Sequence, residues 1–421
     1  MDIAGLYGKL ADRKSVERRF EELTQKHQDL FGTKAKAVFS TAGRTELGGN
    51  HTDHNLGKVI AGSIDLDTIA AVHPTKDNKV VFNSEGYLAI EVDLADLSIK
   101  ETLFGTTESL IKGVAAAIVK RGGTVGGFQA NVSSKVFKGS GLSSSASVEV
   151  LIGTIFNNLY NNDRFSTTDL AIMGQEAENI HFGKPSGLMD QIACANGGIV
   201  GIDFKDPSSP VITPIKVDFA DYGYNLVITT TGGNHADLTD DYASIPREMK
   251  SVAAYFGKKT LRDIAEKDFF ENIGTLREKL GNDRAILRAF HYFEENRKVD
   301  VMVNALLDGD FQTYLKTVTA SGSSSFRYLQ NIYSPKSAHE QGIALLCHDP
   351  VIPGWRGCIP RPRRRLCRNT RGIYPHCQDR GLFQTHGILV RRRLLHHIGH
   401  PQPSHDEGHV RLKADISTVR G

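Results

Sequence analysis

The run Lys138-Gly139-Ser140-Gly141-Leu142-Ser143-Ser144-Ser145-Ala146-Ser147 passes without a break into residues 148–159, an apolar pattern of helical length. Glycines let a backbone turn its N–H groups toward an anion, and the helix that follows adds its positive N-terminal end. Three consecutive serines, Ser143, Ser144 and Ser145, supply hydroxyls for phosphate oxygens or a magnesium ion. No Gly-Lys-Ser/Thr closes the loop, so it is not the Walker pattern. A Gly/Ser linker that happens to precede a helix is the other reading of the same residues.

The surrounding pattern alternates strands and helices. Residues 3–30 have apolar spacing for one or two amphipathic helices. Residues 35–41 read as a short strand, 44–58 as a polar loop, and 59–73 as two strand pieces. Residues 80–83 and 88–92 suit a hairpin around 84–86. Helices are expected at 110–120 and 170–181, and strands at 126–136, 199–204 and 225–230. From 242 to 315 the pattern is mostly helical, with breaks near Gly257, Gly274 and Gly309. No repeat of fixed period occurs. The alternation indicates an α+β or α/β enzyme scaffold with a boundary between 195 and 225.

Two further clusters carry chemistry. Gly187-Leu188-Met189-Asp190-Gln191 places an aspartate just after a Gly-bounded turn, where it could orient or deprotonate a hydroxyl. An ordinary turn or N-cap carboxylate would have the same sequence. Residues 43–54 pack Arg44, Glu46, Asn50, His51, Asp53 and His54 among three glycines. That density suits a ligand rich in hydroxyls, each needing a partner. Asn50-His51-Thr52-Asp53 is a weak metal signal, and a solvated loop is the bland alternative. Residues 230–242 are similarly polar and read by default as a loop and helix cap.

With these motifs in this order and at this spacing, the chain resembles the GHMP superfamily of small-molecule kinases and, within it, the galactokinase family. The resemblance covers residues 1–346. It implies an α+β, two-domain GHMP kinase fold. An N-terminal domain resembling ribosomal S5 domain 2 would span 1–205 and carry the sugar-signature and phosphate loops. A ferredoxin-like α/β domain, incomplete, would span 206–346.

Carried over residue by residue, the resemblance makes Asp190 and Arg44 catalytic. Asn50, His51, Asp53, Gly187 and Tyr242 would contact the sugar. Gly139, Ser140, Gly141, Leu142, Ser143, Ser144 and Ser145 would surround the ATP phosphates, and Ser145 with Glu178 would hold Mg2+. The implied reaction is transfer of the ATP γ-phosphoryl group to the C1 hydroxyl of galactose. The alternatives are a GHMP kinase for N-acetylgalactosamine or another sugar, and a sugar-binding regulator without kinase activity. Three positions depart from the family pattern: Asn50 stands where glutamate is usual, His54 where tyrosine is, and Phe137 where proline is.

Charge separates the last part of the chain from the rest. The formal net charge is +3, but residues 1–346 hold 37 Lys+Arg against 43 Asp+Glu, and residues 347–421 hold 14 against 5. The tail also holds four of the five cysteines and the only Trp. Its cysteines Cys358, Cys367 and Cys377 are 9 and 10 apart, without Cys-x-x-Cys, which is a poor zinc pattern. Its arginine clusters lack a nucleic-acid-binding module, so no nucleic-acid partner is expected. No run of about 18 apolar residues is present, and the charged N-terminus lacks a signal-peptide core. A cytoplasmic enzyme with small-molecule substrates and no obligate protein partner is expected.

The glycine loop with which the family closes its nucleotide site has no counterpart after Leu346. Residues 347–421 are read instead as an out-of-frame, disordered basic tail. Arg363-Arg364-Arg365-Leu366-Cys367-Arg368-Asn369 can be encoded so that a one-base shift reads Gly-Gly-Gly-Phe-Ala-Gly-Thr. In the same frame, residues 393–400 can shift to Gly-Ser-Cys-Thr-Thr-Leu-Gly-Ile, which looks like the family's closing strand. The expected consequence is a poorly folded C-terminus with weak or absent turnover. Sequencing the gene across codons 340–370 is expected to show that one shift near codon 346 recovers both segments. The absence of a one-base shift at about codons 345–347 that recovers both segments would refute this reading.

Overall fold

The computed structural model describes Tyr7 and residues 12–136, 141–230, 239–334, 339, 341, 343–344, 369–375 and 386–388. They fall into two compact units: Met1–Arg44 with Ser63–Gly197, and Thr45–Gly62 with Gly198–Val390.

In the first unit, helix α1 (Arg13–Phe31) starts where the Asp12 carboxylate accepts the Ser15 N–H, and stops at Gly32 in the left-handed conformation. Phe20 and Leu23 of α1 pack with Val38, Ile69 and Ala71. These three belong to strands β1 (Ala37–Gly48) and β2 (Lys58–Pro74). Asp67 anchors the contact: Arg19 pairs with its carboxylate, and the Tyr7 and Ser40 hydroxyls donate to it at 2.5 and 2.6 Å.

Strands β3 (Lys79–Ser84) and β4 (Ile90–Asp93) form the expected antiparallel hairpin. After helix α2 (Thr107–Lys120), strand β5 (Phe128–Ser134) lies parallel to β3 and antiparallel to Thr68–Pro74 of β2. Helices α3 (Ser144–Asn161) and α4 (Thr167–Glu176) follow, α4 closed by a Ser166/Asp169 capping box. Ile111 and Ile118 of α2, Leu151 and Phe156 of α3 and Met173 of α4 bury one side of these strands with Val72, Phe82 and Phe128. Helix α5 (Met189–Asn196) completes the unit.

The second unit takes up the start of β2. Lys58–Gly62 pairs antiparallel with β6 (Ile199–Asp203), and β6 with β7 (Val211–Ile215). Strand β8 (Tyr224–Thr230) precedes five helices: α6 (Thr239–Tyr255), α7 (Glu266–Glu271), α8 (Ile273–Leu280), α9 (Asp283–Leu307) and α10 (Phe311–Ser324). Met249 and Val252 of α6, Leu276 of α8 and Ala289, Tyr292 and Phe293 of α9 share a core. Strands β9 (Asn369–Pro375) and β10 (His386–Ile388) lie antiparallel on either side of β8. The rest of 347–421, including Cys358, Cys367 and Cys377, lies outside the described residues.

Two local expectations change. The strand expected to end at 41 runs on to Gly48, and all twelve residues of β1 are buried. Residues 59–73, expected as two pieces, form one strand of 17 residues. The break expected near Gly274 falls at Asn272, between α7 and α8, and α8 stops at Gly281, which takes a left-handed φ of 57°.

Phe156 is fully buried, with its ring edge-on to Phe128 at 5.3 Å. Phe156→Ala is expected to lower unfolding free energy by about 3–5 kcal/mol in urea titration. A loss below about 1 kcal/mol would remove it from the core.

Candidate active site

Strand β1 carries Arg44 into the interior of the first unit, where its residue exposure is 1%. A buried guanidinium requires a charged partner and a carbonyl for its remaining donors. Asp190, in the first turn of α5, accepts Arg44 Nε at 2.7 Å and Nη2 at 2.6 Å. Arg44 Nη1 donates to the Gly141 carbonyl at 2.7 Å. Earlier in the strand the Ser40 hydroxyl donates to Asp67 and the Thr41 hydroxyl to the Ser147 carbonyl, so these buried polar groups of β1 also have partners.

The Ser143 hydroxyl also donates to Asp190 Oδ2. Ser143 takes φ 58° and ψ 63°, left-handed backbone that is uncommon for a serine. Helix α3 starts at the next residue, with the hydroxyls of Ser143 and Ser145 turned to two different carboxylates. Gly141, Leu142, Ser143, Ser144 and Ser145 are thus placed at a helix N-terminus that suits an anion. Gly139 and Ser140 lie outside the described residues.

Glu178 sits on a single π turn, Ala177–His181, which continues α4. Its carboxylate is 2% exposed and accepts Ser145 Oγ at 2.9 Å and Lys184 Nζ at 2.5 Å on Oε1. On Oε2 it accepts Gln191 Nε2 at 3.1 Å. The same amide nitrogen reaches Glu149 Oε2 at 2.9 Å. Gly187 lies in the turn before α5, which is held by Ser186: its N–H donates to Asn179 Oδ1 at 2.6 Å.

Glu149 is the residue that sequence reasoning passed over. It is fully buried on α3, and burial, with the Glu178 charge second, pushes its carboxyl well above the usual carboxylate range. Glu149 Oε1 and Gln191 Oε1 have no hydrogen-bond partner among the described residues. The position of Glu149 four residues after Ser145, one helical turn on, was the signal available in the sequence. Lys184 could likewise have been noticed as a cation six residues from Glu178.

In the second unit, residues 49–57 form a tight turn. Gly49 has φ 91°, and a Cβ there would lie 2.3 Å from the Lys58 carbonyl oxygen. Thr52 Oγ1 donates to the Gly49 carbonyl at 3.0 Å. Asn50 and His51 are buried, His51 with a left-handed φ of 62°. Asn50 Nδ2 donates to Ser325 Oγ at 2.9 Å, while Asn50 Oδ1 is buried without a partner among the described residues. Tyr242, on α6, lies 3.2 Å from His54 Nε2 through its hydroxyl, and its ring centroid is 5.1 Å from that of His51. Asp53 Oδ1 is 4.0 Å from His54 Nε2. The described residues hold no group of three or more His, Cys, Asp or Glu arranged for a metal. No helix among them is long and apolar enough to cross a membrane.

A carboxylate gripped by a buried arginine beside a serine-rich helix start can orient a hydroxyl next to an anion, the geometry of a phosphoryl-transfer enzyme. Residues 109–198 match the family described as GHMP kinases N terminal domain, and residues 25–74 match the galactokinase galactose-binding signature. The fold is that of GHMP small-molecule kinases: it is shared with a mevalonate kinase at a TM-score of 0.56 and 16% identity, over 85% of this chain and 99% of that one. It is shared more fully with Lactococcus lactis galactokinase, solved with galactose, at a TM-score of 0.75 and 22% identity, over 90% of this chain and 100% of that one.

Among proteins of known activity, the chain is 30% identical over 310 residues to the galactokinase of Lacticaseibacillus paracasei, covering 72% of this chain and 78% of that protein. It is 31% identical over 307 residues to that of Streptococcus suis, covering 72% and 77%. The chain belongs to the galactokinase family.

The raised pKa of Glu149 fixes the sign of a pH effect. Below about 4.5 the group is protonated in the folded and unfolded chain alike. As pH rises past that value, only the unfolded chain ionises, and stability falls until the folded carboxyl titrates. Glu149→Gln is therefore expected to gain stability relative to the parent as pH is raised from 4.5 toward 8, read by urea unfolding. A stability difference that does not change with pH would contradict the neutral acid.

Proposed function

We propose that this chain transfers the γ-phosphoryl group of ATP to the C1 hydroxyl of galactose, giving galactose 1-phosphate. The observation that carries the proposal is the two-point grip of Arg44 on Asp190, with Ser143 at the start of α3 donating to the same carboxylate. Asp190 is assigned to align the C1 hydroxyl and accept its proton. The hydroxyl oxygen then bonds to the γ-phosphorus as the bond to the β–γ bridging oxygen breaks, releasing ADP. Arg44 holds the carboxylate in one orientation through two hydrogen bonds, and its charge stabilises the transferred group. The backbone at 139–145 is assigned to the ATP phosphates.

The residues present fit a magnesium ion. Ser145 Oγ and the Glu178 carboxylate are hard oxygen donors 2.9 Å apart, and Mg2+ takes few protein ligands beside phosphate and water. When bound, the ion would neutralise charge on the ATP phosphates. Lys184 and Gln191 hold the Glu178 carboxylate in place. Asn50, His51, Asp53, Gly187 and Tyr242 are assigned to the sugar by their match to the family's motif.

Asn50 favours a second reading. An amide in place of the family's carboxylate alters one recognition point, and its buried Oδ1 lacks a partner among the described residues. A related hexose or an N-acetylated amino sugar is the alternative substrate, separable by ADP release across a sugar panel with Asn50→Glu beside the parent. A sugar-binding regulator is disfavoured by the intact Arg44–Asp190 pair.

Asp190→Asn is expected to lower kcat about 10²–10⁴-fold, the range of positioned acid–base groups, with ATP binding retained. Galactose- and magnesium-dependent ADP release within about threefold of the parent would remove Asp190 from the chemistry.

A further inference from the structure

One face of α9 makes four contacts with main-chain groups of residues 49–58. His291 Nε2 lies 2.9 Å from the Asn50 carbonyl oxygen, and Tyr292 OH donates to the Asn55 carbonyl at 3.0 Å. Glu295 Oε1 accepts the Gly49 N–H at 3.1 Å, and Asn296 Oδ1 accepts the Lys58 N–H at 2.7 Å. Positions 291, 292, 295 and 296 recur at helical spacing, so one surface of one helix meets both ends and the middle of the turn. His291, Tyr292 and Glu295 are each at most 1% exposed.

The supports are themselves fixed. A carbonyl only accepts, so His291 Nε2 carries the proton, and Nδ1 accepts from Ser324 Oγ at 2.9 Å. Burial pushes the imidazole pKa down, in keeping with that neutral form. Ser321 Oγ donates to Glu295 Oε1, the oxygen that also takes the Gly49 N–H. The contacts are to backbone, so they set the conformation of the turn whatever side chains it carries. Asn50 and His51, whose side chains differ in partner and backbone conformation, both lie inside the span they fix.

We propose that His291, Tyr292, Glu295 and Asn296 are positioning residues for sugar affinity, acting through the main chain of residues 49–58 without touching the sugar. The inference rests on the sugar-binding reading of residues 50–53. Glu295 gives the sharpest test, since Glu295→Gln keeps an acceptor for the Gly49 N–H and Glu295→Ala removes it. Tyr292→Phe deletes one hydroxyl and leaves the buried ring.

Galactose affinity by calorimetry, which needs no turnover, and amide hydrogen exchange across 49–58 are measured on the full chain. Glu295→Ala and Tyr292→Phe are expected to weaken galactose binding at least about fivefold and to speed exchange across the turn, while Glu295→Gln stays within about twofold of the parent. Exchange in α2 and α3 of the first unit is expected to remain unchanged. Parent-like affinity and exchange in Glu295→Ala and Tyr292→Phe, or a loss in Glu295→Gln equal to that in Glu295→Ala, would overturn the proposal. A parent that binds no galactose, with exchange responding as expected, would support the positioning role and overturn the sugar reading alone.

Discussion

The first unit is organised around one buried charge pair. Arg44 is almost wholly removed from water, and its side chain meets Asp190 twice and the Gly141 carbonyl once. Burying an arginine without such partners costs several kcal/mol, and leaving either partner alone typically costs about 3–5 kcal/mol. Strand β1, the start of α3 and the start of α5 therefore have to come together for any of them to be stable there. The same three points are where the proposed phosphoryl transfer needs phosphate-binding backbone, a serine hydroxyl and an oriented carboxylate. Stability and chemistry impose one geometry.

A second set of buried polar contacts extends that geometry without adding free charge. Gln191 follows Asp190 in the chain, and its amide holds Glu149 and Glu178 together. Burial pushes the Glu149 carboxyl toward its neutral form, which eases its placement close to Glu178. Any movement of the α5 turn that displaced Asp190 would also disturb the amide that orients Glu178. The second unit uses a comparable device on its own turn, where a helix satisfies main-chain groups that would otherwise be buried unpaired.

Much of this was legible in the sequence because the relevant groups are close together in the chain. The loop at 138–147, the cluster at 43–54 and Asp190 after its glycine turn were each visible as dense, glycine-punctuated polar runs. Contacts between distant residues were not. Arg44, buried in the part of β1 that was read as a loop, is met by Asp190, 146 residues away. The support of residues 49–58 comes from α9, 246 residues on in the case of Glu295, and no local pattern marks it. Glu149 was passed over within a stretch read as apolar helix, and only the structure shows it buried near Glu178. The break near Gly274 was legible to within two residues, at Asn272, and Gly281 adopts the left-handed φ that ends α8.

The most direct measurement follows where the phosphoryl group goes. Stoichiometric chain is incubated at length with ATP, magnesium and galactose, and the products are resolved by phosphorus NMR, with Asp190→Asn in parallel. The predicted result is phosphate on C1 of galactose, formed with ADP in equal amount and absent from the variant. ADP without a sugar phosphate, phosphate on another hydroxyl, or equal product from the variant would contradict the role given to the Arg44–Asp190 pair.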